Sequence, residues 1–273
     1  MIQISDLQVT FSPGTALEAR VFSGLSLSIP EGQFVTVIGS NGAGKSTLLN
    51  AISGGTIPQG GRIMVSGYDI TQWPVAKRAK LVSRVFQYPL AGSCAELTLE
   101  ENLVLAQGRS RAFGLRPALS RSVRSQFRER LADLSLGLEN RLGDRMGLLS
   151  GGQRQAASLV MATLAPTQVL LLDEHTAALD PKTANDILSL TRKLVAEKQL
   201  TTLMVTHSMQ QALALGDRTL MLHEGQPVLD IVGEERRGLT VNDLLNKFDR
   251  KRAEKSRSSI STSEQVAEDS LLL

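Results

Sequence analysis

The 273-residue sequence holds a single cysteine, Cys94. One thiol cannot close an internal disulfide, and such sparing use of cysteine fits a reducing compartment. Cys94 itself reads as a small side chain in a loop. No apolar run approaches the ~20 residues needed to cross a bilayer. No basic-then-apolar leader opens the chain. Both absences predict a protein that is soluble by itself and meets a membrane only through a partner. An excess of one charge is missing too. Lys and Arg number 30 against 27 Asp and Glu, leaving +3, which is too little to argue for nucleic acid. What the chain does have is material for a core. Hydrophobic residues make up 42% and charged residues 21%, a globular composition with length for one large domain or a compact pair of lobes.

The stretch Gly39-Ser40-Asn41-Gly42-Ala43-Gly44-Lys45-Ser46-Thr47 fits the phosphate-binding pattern G-x-x-x-x-G-K-[ST] at every fixed position. Phe34–Ile38 before it reads as a buried strand, and Leu48–Ile52 after it as the first turns of a helix. The glycines let the backbone curl so that several N–H groups point into one concavity. The helix N-terminus adds its partial positive charge there. Lys45 is expected to reach the β- and γ-phosphates, Ser46 to ligate Mg²⁺, and Thr47 to hydrogen-bond an inner phosphate. An ordinary Gly-rich turn is the alternative, and the Lys-Ser pair behind a strand weighs against it.

Around this loop the chain reads as follows. Ile2–Phe11 and Ala19–Ile29 alternate apolar and polar, predicting a two- or three-stranded antiparallel edge sheet. Phe11, at the end of the first strand, either stacks on an adenine or is a core phenylalanine. Arg62–Val65 is a short strand and Pro74–Lys80 a polar helix. Val82–Phe86 is a strand that gives way to Gln87. A glutamine there can reach an active-site metal, although most such glutamines are merely solvated. Thr98 caps a helix with Glu100 and Glu101 in its first turn. The basic segment Arg109–Arg130 is either a docking surface for an acidic partner or phospholipid, or the solvated face of a helix whose buried stripe is Phe127, Leu131 and Leu134.

Ser150-Gly151-Gly152-Gln153 before an Ala-rich helix forms a second anion-binding nest. Two such sites about a hundred residues apart make sense if two chains face head to tail. Val169–Leu172 is an unbroken apolar strand of the kind found in parallel sheets, ending in Asp173 and Glu174. Ligands bind at such strand ends. Asp173 is placed to hold Mg²⁺ and Glu174 to polarise a water against the γ-phosphate. Asp180 and Pro181 open a helix running to about Gln199. Leu203–Thr206 is another strand, with His207 at its end, within reach of a γ-phosphate. Residues 220–230 form a hairpin. From about Phe248 a Ser-rich, mixed-charge tail is expected to be disordered.

Taken together these residues resemble the ATP-binding subunit of an ABC transporter. Gly39–Thr47 matches its Walker A motif, Gln87 its Q-loop, and Leu149-Ser150-Gly151-Gly152-Gln153 its signature motif letter for letter. Val169–Asp173 with Glu174 matches Walker B and the catalytic acid, Ala178-Leu179-Asp180 the D-loop, and His207 the switch histidine. The resemblance covers roughly residues 2 to 230. One departure is His175, where most relatives carry proline, and it is expected to alter how the loop rests against a partner subunit. The run Asp173–Thr183 is similar to that of a bacterial subgroup of tryptophan/tyrosine importers encoded with branched-chain-type permeases and lipoprotein binding proteins.

The resemblance implies an α/β fold. A P-loop NTPase of RecA-like core and antiparallel β edge subdomain would carry an α-helical signature-motif subdomain at about residues 90–160, the whole spanning 2–247 with 248–273 as tail. It implies ATP and Mg²⁺, with Lys45, Gln87, Glu174 and His207 catalytic and Ser46, Gln87 and Asp173 on the metal. Phe11, Gly39–Thr47, Ser150, Gly151, Gly152, Gln153 and Asp180 would contact nucleotide, the signature residues from the second copy of a homodimer. Integral membrane permease subunits and, indirectly, a solute-binding protein are the implied partners, with no nucleic acid. The implied location is peripheral, on the cytoplasmic face of the inner membrane. The surface around Gln87 and residues 88–105 would receive the permease. A soluble ABC-type ATPase acting on nucleic acid or the ribosome is the alternative, disfavoured because no heptad run occurs and only one such domain is present. A scaffold with little turnover is disfavoured by Glu174 and His207.

Overall fold

The structure is a computed structural model, described here over residues 1–109 and 119–250. Two sheets sandwich one helix. The first is antiparallel, in the order β2 (Ala19–Ile29), β1 (Ile2–Phe11), β4 (Gly60–Val65), β5 (Tyr68–Asp69). It has four strands rather than the two or three expected, because two-residue β5 adds an edge too short to show as a periodic run. In β1 the alternation slips by one at Asp6, which sits at φ 50 between Ile4 and Leu7. This bulge keeps Ile2, Ile4, Leu7 and Val9 on the same buried face.

The second sheet runs β10 (Gln226–Val232), β9 (Arg218–His223), β3 (Phe34–Gly39), β8 (Thr201–Val205), β7 (Val169–Asp173), β6 (Val82–Val85). β3, β6, β7, β8 and β9 are parallel, and β10 closes the edge antiparallel. Its parallel strands are buried on both faces. Val169 and Leu171 pack with α1 (Lys45–Ser53), while Leu170 and Leu172 pack with Leu159, Leu188 and Val195 of the helices behind. Helix α1 puts Leu48, Leu49, Ala51 and Ile52 between the two sheets. Short α2 (Val75–Arg78) follows β5, its core narrower than the predicted Pro74–Lys80.

A separate apolar cluster joins α3 (Leu99–Gly108), α4 (Arg121–Ala132) and α5 (Gly151–Leu164) through Leu99, Leu103, Phe127, Leu131, Ala157 and Val160. Phe127 and Leu131 are buried, with Leu134 packed against them, as their helical spacing predicts. In the basic segment, Arg124 pairs with Glu100 and Arg109 donates to the Ala162 carbonyl. Arg111 and Arg116 lie outside the described residues. The remaining helices are α6 (Pro181–Lys198) and α7 (Met209–Ala214). A last helix covers residues 241–250. It corrects the boundary drawn at Phe248, whose ring packs edge-on against His223 with centroids 5.5 Å apart. Fully buried Leu244, with half-buried Phe248 packed beside it, outweighs the polar composition around them. The expected tail otherwise falls outside the described residues. Among the described residues no helix is long and apolar enough to cross a membrane.

Candidate functional site

The loop after β3 is shaped by contacts that leave no room for side chains. A Cβ on Gly39 would lie 2.2 Å from the Leu222 carbonyl oxygen of the neighbouring strand β9. At the other end Gly44 caps α1 in the left-handed region, φ 101. Helix α1 starts with no side-chain cap and no acid in its first turn, so its leading N–H groups and dipole are left for an anion. Lys45 is 6% exposed, and its Nζ donates to the carbonyls of Gly39 (2.8 Å) and Ser40 (2.9 Å). The cation thus bridges the loop it would share with a phosphate. Burial lowers its pKa, while the carboxylates of Glu174 and Asp173 pull the other way. Ser40, Asn41, Gly42 and Ser46 are exposed, Thr47 half-buried and Ala43 buried. The β9–β10 turn braces the loop from behind, where Gly225 N–H donates to the Ala43 carbonyl at 3.1 Å.

The acids stand at the C-terminal ends of the adjacent parallel strands. Glu174 follows β7 with φ 46, an uncommon conformation for a residue with a side chain, costing about 1–2 kcal/mol. Its N–H donates to the Val205 carbonyl, and its own carbonyl accepts from Ala177. That turn brings its carboxylate to His207 after β8, where Nε2 lies 2.6 Å from Oε1. The two are 33 positions apart in sequence and meet because β7 and β8 pair in register, Asp173 opposite Val205. Asp173 Oδ2 accepts from Arg84 Nη2 at 2.6 Å. A hydroxyl (Ser46), one or two carboxylates and phosphate oxygens form the donor set Mg²⁺ takes. Among the described residues no group of three or more His, Cys, Asp or Glu offers an all-protein cage.

Other candidates are separate. Gln87 is half-buried just beyond β6, and among the described residues no hydrogen bond engages its side chain. Phe11 is 41% exposed at the end of β1, so it is no core phenylalanine. Ser150 caps α5 in a reciprocal box. Its hydroxyl accepts from Gln153 N–H, and Gln153 Oε1 accepts from Ser150 N–H. Asp180 caps α6 by accepting from Thr183 N–H. Gly152 faces α6 of the same chain, where a Cβ on it would lie 2.3 Å from Thr183 Cγ2, and Gly151 faces Leu179 just before that helix. The glycine at 152 is thus required by packing as well as by an exposed nest. Within one chain no hydrogen bond among the described residues links the signature residues to the phosphate loop.

His175 is 2% exposed and turned inward onto α6, with Nε2 3.0 Å from Thr191 Oγ1. Thr191 donates its own hydrogen to the Ile187 carbonyl, so Nε2 of His175 is the donor. Desolvation lowers its pKa to about 4, hence a neutral ring. Two arginines escape a reading by motif. Arg84 contacts Asp173. Arg78 is 0% exposed and donates to the carbonyls of Trp73, Ala51, Ile52 and Thr71, capping the C-terminal end of α1. The signal for Arg84 was a charge inside an otherwise apolar strand, which must find a partner.

With this geometry in view, comparison with known proteins is informative. The family model described as ABC transporter matches residues 22–177. The chain is 47% identical to a tyrosine transport ATP-binding protein of Clostridioides difficile (strain R20291), across 91% of this chain and 99% of that one. It is 38% identical to the thiamine import ATP-binding protein ThiQ of Yersinia pseudotuberculosis serotype I (strain IP32953), across 73% and 80%. Relatives thus span several transporter subclasses, not the tryptophan/tyrosine group alone. Among solved structures, the dimeric bacterial ABC transporter cassette MJ0796 superposes with a TM-score of 0.74 at 27% identity, covering 88% of this chain and all of that one. The two-sheet α/β core, the helical cluster and the matched family together establish that this chain belongs to the ABC transporter family, as an ATP-binding subunit whose chemistry is Mg²⁺-dependent ATP hydrolysis.

Proposed function

We propose that this chain powers a membrane permease for a small solute such as an amino acid, most simply in import, and works as a pair of identical copies. The observation that carries the reading is the division of one complete set of motifs between two surfaces. Lys45, Asp173, Glu174 and His207 converge on one strand-end face, while Ser150, Gly152 and Asp180 form a cluster with no hydrogen bond to that loop among the described residues. A second copy turned head to tail supplies the missing half to each. The dimeric MJ0796 cassette, also in a state bound to ADP and Pi, is the assembled form this reading expects. The name of the 47% identical relative favours an amino-acid solute.

In this reading ATP lies with its phosphates on the loop N–H groups and the α1 N-terminus, Lys45 turning from the carbonyls of Gly39 and Ser40 to the β- and γ-phosphates. Ser46, Gln87 and Asp173 would hold the metal, which when bound would neutralise charge on the transferred phosphoryl group. Phe11 covers the base. Glu174 orients the attacking water and accepts its proton as the bond to ADP breaks. His207, whose Nε2 stands beside the Glu174 carboxylate, turns its N–H to the γ-phosphate. Ser150 keeps its hydroxyl hydrogen for the other subunit's nucleotide, since its oxygen already accepts from Gln153. A groove of about 600 Å³ beside Gln87, lined by Phe86, Pro89, Leu105, Arg109 and Met161, receives the permease at the membrane. Glu174→Gln should cut hydrolysis at least 100-fold and accumulate an ATP-bound dimer by size-exclusion chromatography. Hydrolysis at the wild-type rate would remove Glu174 from this role. Affinity purification from gently solubilised membranes should recover a polytopic permease, whereas recovery with ribosomes or DNA would overturn the transport reading.

A further inference from the structure

Strand β6 carries Arg84 between buried Ser83 and Val85. Its guanidinium reaches across three elements. Nη2 donates to Asp173 Oδ2 at 2.6 Å at the end of β7, and Nη1 donates to Asn50 Oδ1 at 2.5 Å on α1. Its Cζ lies 4.7 Å from the Phe86 ring centroid, one residue before Gln87. The ionic side chains are 13% and 14% exposed, so water screens them little. One cation therefore touches the helix behind the phosphate loop, the acid of β7 and the strand leading to Gln87.

We propose that Arg84 is the resident counter-ion of Asp173, a positioning residue that holds the carboxylate by Oδ2 between turnovers and leaves Oδ1 for the metal. The proposal rests on the reading of Asp173 as a metal partner. Its physical consequence follows from competition. A guanidinium and a divalent cation draw on the negative charge of one carboxylate. Whatever stabilises the metal-free arrangement subtracts from the free energy gained when metal arrives. With Arg84 present the site stays assembled without metal and binds it less greedily. With Arg84 removed, a half-buried carboxylate is left without its partner, and the metal gains the whole of the pairing.

The test measures the affinity of the full chain for a fluorescent ADP analogue in EDTA and in Mn²⁺, and takes the ratio as the metal-specific gain. Arg84→Met keeps most of the apolar stem and removes the charge. It should raise that ratio at least fivefold with the EDTA affinity within twofold, and Arg84→Lys should return it towards the wild-type value. A merely structural role would weaken both affinities together and leave the ratio unchanged. An unchanged or smaller ratio overturns the proposal. If Arg84→Met does not fold, Asn50→Ala frees one side of the guanidinium and should raise the ratio about twofold. No change in that variant also overturns the proposal. Asp173→Asn separates the two readings. If it keeps the wild-type ratio, Asp173 does not serve the metal and both fall. If it abolishes the gain while Arg84→Met behaves as wild type, only the role of Arg84 falls.

Discussion

Arg78 and His175 show what single buried polar residues do here. Among the described residues Arg78 has no carboxylate partner and donates to carbonyls, those of Ala51 and Ile52 among them at the C-terminal end of α1, where a helix presents partial negative charge. Arg78→Ala would leave these carbonyls without donors and open a cavity, destabilising the protein by about 3–5 kcal/mol, read as a lower urea midpoint at unchanged slope. An unchanged midpoint would show the carbonyls satisfied otherwise. His175 carries a pH signature. Its folded pKa of about 4 lies below the ordinary 6.5, so the unfolded chain binds a proton that the folded one refuses. The stability it contributes is complete above pH 6.5 and is lost as pH falls towards 4. This amounts to about 3 kcal/mol. In metal- and nucleotide-free protein, His175→Gln should flatten the fall in stability across that window relative to wild type. Parallel curves for the two proteins would contradict the buried neutral ring.

At the scale of elements, the α5–α6 contact decides what the signature segment tolerates. Ser150 and Gln153 close a capping box. No feature of the consecutive residues signals that α6 approaches so closely at Gly152. Gly152→Ala should cost about 1–3 kcal/mol by overpacking against the Thr183 methyl, 2.3 Å from the added carbon. Thr183→Ser removes that methyl and keeps the N–H that Asp180 accepts. The double variant should therefore recover most of the loss in a denaturation cycle, and simple additivity of the two changes would show that the clash is relieved elsewhere. Most elements were legible because their causes are local. The alternation of β1 and β2, the both-faces-buried run of β7, the Thr98 cap and the Asp180-Pro181 helix start each lie in a few consecutive residues. The bulge at Asp6, the two-residue β5 and the helix through Phe248 were not legible. A bulge depends on the partner strand, a two-residue strand has no period, and Phe248 is ordered by His223.

The whole molecule is best probed by splitting its proposed composite site. Lys45→Ala disables the loop half and Ser150→Arg the signature half, so each variant alone should hydrolyse little ATP. Mixed and reassembled, half the dimers hold one intact site of two, and the mixture should regain up to about a quarter of the wild-type rate. A mixture no more active than its components would show that the two halves do not meet between copies. At this scale the sequence by itself determined the chemistry. The glycines, Lys45 and Ser46 proposed to hold phosphate are neighbours on one stretch of backbone, and Asp173 with Glu174 stands at the end of the strand that presents them. Only the tertiary structure decided which distant groups meet. The parallel register of β7 and β8 sets His207 on Glu174, and Arg84 reaches Asp173 across 89 positions because β6 lies beside β7. His175 faces inward to Thr191 for the same kind of reason. Local chemistry is written in consecutive residues, whereas these pairings depend on strand order and helix packing, which no short stretch of sequence contains.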